Sequence, residues 1–167
     1  AAKRMFDGKR HIITGWIRDL GGERDGGDFQ WGGDQSVPRE VYPGPGGLLY
    51  FRPVPEALAQ FPRQVQAAAG VPTKTTGTYE TPDNYMMQCR LKMDSDAEVC
   101  ITMRQQEKRD SGYRLILRPK KQEAEIAGKK FSYPRKVRLD ASLPISITAF
   151  VQGTIIECFI NDAYPLS

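Results

Sequence analysis

Residues 85–94 read Tyr-Met-Met-Gln-Cys-Arg-Leu-Lys-Met-Asp. In an extended chain successive side chains point to opposite faces, so Tyr85, Met87, Cys89, Leu91 and Met93 share one side and Gln88, Arg90, Lys92 and Asp94 share the other. One apolar face and one charged face at period two predict an antiparallel strand with its apolar side in a core and its polar side in water.

The same alternation recurs to the C-terminal side. Ala97, Val99, Ile101 and Met103 follow a turn at Asp94-Ser95-Asp96, and Tyr113, Leu115 and Leu117 repeat the pattern. Ile145, Ile147, Ala149 and Val151 are expected to pair with Ile156, Cys158 and Ile160 across a tight hairpin at Gln152-Gly153. Short strands separated by turn signals, with no long helical pattern, predict a β-sandwich over residues 63–167.

Composition changes near residue 62, which sets off a first unit over residues 1–62. Arg10 to Ile17 is rich in β-branched and aromatic residues. Glycine pairs at Gly21-Gly22, Gly26-Gly27 and Gly32-Gly33 then predict a long loop over residues 18–33. Gln35 to Tyr42 reads as a strand at an edge or bulge, because Pro38 cannot donate to a ladder. A turn at Pro43 to Gly47 and a return strand at Leu48 to Arg52 complete an antiparallel meander, and Pro55 opens a helical turn or two reaching Phe61. A few strands alone have too little apolar surface for independent stability, so this unit is expected to lean on something outside the chain.

Charge and cysteine usage narrow the function classes. The net charge is +4 and the pI about 9.0, yet Lys and Arg are scattered among acidic residues and gather only in pairs such as Lys120-Lys121 and Arg135-Lys136. A nucleic-acid partner is not expected from that distribution. No stretch approaches the roughly 18 apolar residues that cross a bilayer, so a soluble chain without a membrane span is expected. The N-terminal residues show no apolar signal segment. Cys89, Cys100 and Cys158 lack metal-ligand spacing and are expected as free thiols. His11 is the single histidine, which leaves no companion for a metal site or a nucleophile triad, and no cofactor is expected.

Residues 31–40, Trp-Gly-Gly-Asp-Gln-Ser-Val-Pro-Arg-Glu, resemble the W-x-G-x-Q-S-hydrophobic-P-R-E motif of glycoside hydrolase family 32, the invertases, inulinases, levanases and related fructosidases. Three further segments keep that family's order. Gly15-Trp16 resembles the G-W that ends the preceding strand. Arg52-Pro53-Val54-Pro55-Glu56 resembles the segment leaving the propeller, and residues 153–162 resemble the S-I-V-E-hydrophobic-F-hydrophobic-N-G/D signature of the C-terminal sandwich. Asp34 stands where the motif usually has an apolar residue, and residues 63–84 carry no family pattern. The resemblance implies an all-β chain holding the last strands of a five-bladed β-propeller followed by an antiparallel β-sandwich. It further implies a carbohydrate partner of fructan or sucrose type, an N-terminal propeller half in the same protein, and a secreted or periplasmic location.

Hydrolysis of a glycosidic bond needs two carboxyl groups about 5–5.5 Å apart for retention or about 6.5–9.5 Å for inversion. The family draws its carboxylates from N-terminal motifs of the W-M-N-D-P-N-G, R-D-P and E-C type, none of which occurs here. Glu157-Cys158 is an E-C pair inside the sandwich signature and not a propeller motif. On one continuous strand Asp34 and Glu40 would lie about 20 Å apart. Asp19, Asp25 and Asp28 read as solvated loop acids. No catalytic residue is therefore expected in this chain.

Trp16 and Trp31 are the candidate substrate-binding residues, since the C–H faces of sugars stack on indole rings, although packing between blades would use them equally well. Gln35, Arg39 and Glu40 read as structural, with an arginine–carboxylate link between strands. Tyr79, Phe131 and Tyr133 are scattered aromatics that need no platform to explain them. Two functions compete: a non-catalytic C-terminal portion of a family 32-like glycosidase, and a free-standing carbohydrate-binding sandwich. A purely structural β-protein would leave residues 31–40 unexplained.

Overall fold

The computed structural model describes residues 2–18, 33–62, 80–105, 112–129, 131–153 and 155–167. These residues form an all-β, antiparallel architecture with a sandwich-like pair of sheets. One sheet has the order β14-β13-β12-β7, from strands Tyr164–Leu166, Ile155–Ile160, Ile145–Gln152 and Tyr85–Leu91. The other has the order β11-β10-β9-β8, from Phe131–Lys136, Glu123–Gly128, Tyr113–Arg118 and Val99–Met103. No described helix is long and apolar enough to cross a membrane.

The alternating residues meet as their pattern requires. Ile147 pairs with Ile160, Ala149 with Cys158 and Val151 with Ile156. On the other side of β12, Ile147 pairs with Cys89 and Ala149 with Met87. These apolar rows face Leu115, Leu117, Ala124 and Ile126 of the opposite sheet in one core. Burying a single side chain of this size stabilises by about 1.5–3 kcal/mol before entropy is charged against it.

Strands β10 and β11 carry no alternating signal strong enough to announce them. In β10, Ala124 and Ile126 face the core, but alanine is a weak strand former and Glu123 and Glu125 dominate the composition. They are strands because β9 supplies a paired template, with Ile126 opposite Leu115 and Ala124 opposite Leu117. β11 tolerates Pro134 because it lies at the sheet edge.

The first unit contributes a four-stranded sheet of order β1-β2-β5-β6, from Lys3–Phe6, His11–Thr14, Arg39–Pro43 and Leu49–Pro53, and a two-stranded ladder of β3, Trp16–Arg18, with β4, Gly33–Gln35. The strand expected over residues 10–17 is two strands, interrupted at Gly15. The strand expected over residues 35–42 is likewise interrupted, at Ser36-Val37-Pro38. There the backbone turns away from its ladder: Ser36 N–H bonds to Gly15 O at 2.7 Å, and Pro38 O accepts from Val54 N–H at 3.1 Å. Gly46 and Gly47 at φ +72° and +76° shape the expected turn after β5. Pro55 opens a single helical turn, α1, Pro55–Leu58.

This unit rests on the outer face of the β14-β13-β12-β7 sheet. Phe150, Glu157 and Phe159 point away from the sandwich core and are nevertheless 3%, 2% and 1% exposed. The Phe61 ring packs edge-on to Phe150, which packs edge-on to Phe159. Farther along, Phe51 N–H donates to Ala163 O at 3.1 Å and the Tyr42 hydroxyl to Asp162 O. The boundary expected between residues 62 and 63 borders residues 63–79, which lie outside the described residues.

Candidate functional site

Trp16 begins β3 and pairs with Gln35 across the ladder. The residue is 51% exposed, unusual for a tryptophan held on a strand. Gly33 lies under it at φ +146°: a Cβ there would stand 2.0 Å from the indole Nε1 and 2.6 Å from the backbone oxygen of Ile17. Only glycine lets the ring settle over this backbone. The indole's Nε1 edge thus lies close against the Gly33 backbone while about half of Trp16 stays exposed.

The residues flanking that indole are pinned. Ser36, 4% exposed, accepts from Gly15 N–H through Oγ at 2.7 Å while donating its own N–H to Gly15 O. Gln35 Nε2 donates to Thr14 Oγ1 at 3.0 Å. Trp31, Asp19, Asp25, Asp28 and Tyr79 lie outside the described residues.

Arg39 and Glu40 form two different arginine–carboxylate links. Glu40 accepts from Arg52 Nε at 3.0 Å across the β5–β6 ladder, the ordinary strand-to-strand use expected for it. Arg39 instead reaches out of its sheet to Glu157, which also accepts from Val37 N–H, and its guanidinium sits 5.3 Å from the centroid of the Phe159 ring. Burial pushes the Glu157 carboxyl above its ordinary value, opposed by the Val37 N–H and the Arg39 charge. Burial also pulls Arg39 down, opposed by Glu157. Both shifts record the cost of removing two charges from water, which their mutual attraction offsets only in part.

The carboxylates with ion-pair partners are engaged in structural work. Asp7 and Glu56 both hold Arg10, at 2.7 Å each, and Arg118 gathers Glu98, Glu123 and Glu125. Asp34 and Glu40 lie on separate strands with Ser36-Val37-Pro38 between them. His11 packs against Phe6. All three cysteines are free thiols, and burial pushes Cys158 up to about 12, leaving it unreactive near neutrality. Of the sandwich aromatics, Phe131 is half-buried beside Tyr113, and Tyr133, 40% exposed, stacks on Phe131.

Two features escaped the sequence reading. One is the pairing of Arg39 with Glu157. Its trace in the sequence is a charge set inside the apolar run Ile155 to Ile160, which signals a buried partner without naming it. The other is a groove of about 430 Å³ between the first unit and the sandwich, lined by Gln35, Glu56, Gln60, Phe61, Phe150 and Gln152 among others. The chain matches no protein-family model, and no curated protein matches it.

Proposed function

We propose that this chain is the non-catalytic C-terminal portion of a fructan- or sucrose-type glycoside hydrolase, resembling family 32. In this reading β1-β2-β5-β6 completes a β-propeller whose other blades carry the catalytic carboxylates, Trp16 lines the sugar pocket, and the sandwich braces the last blade.

The observation that carries the reading is the convergence of the four segments on which the resemblance rests. Gly15 is latched by Ser36, Glu40 is bonded to Arg52, Val54 is bonded to Pro38, and Arg39 with Val37 is bonded to Glu157. Residues from four separate stretches thus hold one another directly, as parts of a single inherited device would. A four-stranded antiparallel meander is the form of one propeller blade. Trp16 adds an exposed indole of the kind that stacks on sugars. The coding region upstream of Ala1 tests this: propeller-like repeats with a D-P-N-G-type acidic motif are expected, and an upstream region without them sinks the reading.

A free-standing carbohydrate-binding sandwich is the second reading, favoured by the sandwich having a core of its own between its two sheets. Calorimetry of the chain with levan, inulin and unrelated glycans separates the two. Binding by a chain with no propeller encoded beside it supports the second reading, and an encoded catalytic half supports the first.

A further inference from the structure

We draw no further inference here: the strongest candidate, the outermost strand β1 of the first sheet, where Met5 and Phe6 are each 56% exposed and project to opposite faces beside Lys3 and Arg4, is an apolar patch with no covering element among the described residues, and nothing in the structure shows what covers it.

Discussion

At the scale of single residues, two glycines beside Trp16 have opposite tolerances. An alanine at Gly33 would place its Cβ against the indole and against the Ile17 carbonyl at a positive φ, and a backbone oxygen cannot step aside. Gly33→Ala is expected to destabilise by about 1–3 kcal/mol and to shift the Trp16 fluorescence. At Gly15 the nearest atom to such a Cβ is Ser36 Oγ at 3.6 Å, an ordinary contact. Gly15→Ala is accordingly expected to stay within about 0.5 kcal/mol of the parent in urea unfolding. Equal effects of the two substitutions would contradict the placement of the ring. Ser36→Ala leaves the Gly15 N–H without its acceptor and is expected to cost about 1–3 kcal/mol by the same measurement.

Asp7 gives the residue scale a pH signature. Its carboxylate accepts from Arg10 N–H at 2.7 Å and from Lys9 N–H at 3.0 Å, with the Arg10 side chain adding to them, and its pKa is held down to about 2 from the ordinary 3.8. A folded-state pKa below the unfolded one means the contribution is complete above the ordinary value and is lost as pH falls toward the folded value. Protection of the Lys9 and Arg10 amides from hydrogen exchange is expected to fade between those two values. Asp7→Asn is expected to remove that pH dependence, and an unchanged profile in the variant would assign the protection to another group.

Among elements, the decisive link runs from β5 to β13. Removing one partner of a buried ion pair strands the other, so Arg39→Leu is expected to cost about 3–5 kcal/mol. Replacing both Arg39 and Glu157 by leucine should cost clearly less than the two single changes added together. Additive losses in a double-mutant cycle would mean that the pair does not couple the two units.

The legibility of the elements follows the same physics. β7, β12 and β13 were readable because one face of each meets an apolar core and period two records it. β10 and β11 were not, because Ala124, Glu125, Ser132 and Pro134 form strands only through their neighbours' ladders. The breaks at Gly15 and at Ser36-Val37-Pro38 answer to a contact between the two segments, which local preference does not contain. Phe150 and Glu157 were readable as strand residues, but their cover comes from Phe61, Val37 and Arg39, far away in the chain. Of the site, Trp16 was legible as an aromatic after a glycine at a strand end. Gly33 beneath it and the amides of the groove became visible only once the strands were paired.

For the whole molecule, one sandwich sheet is covered within by its partner sheet and, at β13 and the end of β12, without by the first unit, while Gln88 and Arg90 of β7 stay exposed. That geometry suits a brace, since force on the first unit is carried through Arg39 and Glu157 into the most buried strands. It also fits a chain in which, among the described residues, Trp16 is half exposed and several carboxylates are held by arginines. The account is tested most directly by the rate of fructose release from sucrose, measured for this chain, for the product of its whole coding region, and for that product carrying Trp16→Ala. No release by the chain, hydrolysis by the whole product, and a loss of about tenfold or more in kcat/KM for Trp16→Ala (~1.4 kcal/mol of transition-state binding) are the predicted results. Hydrolysis by the chain alone, or an undiminished rate in the tryptophan variant, would contradict the account.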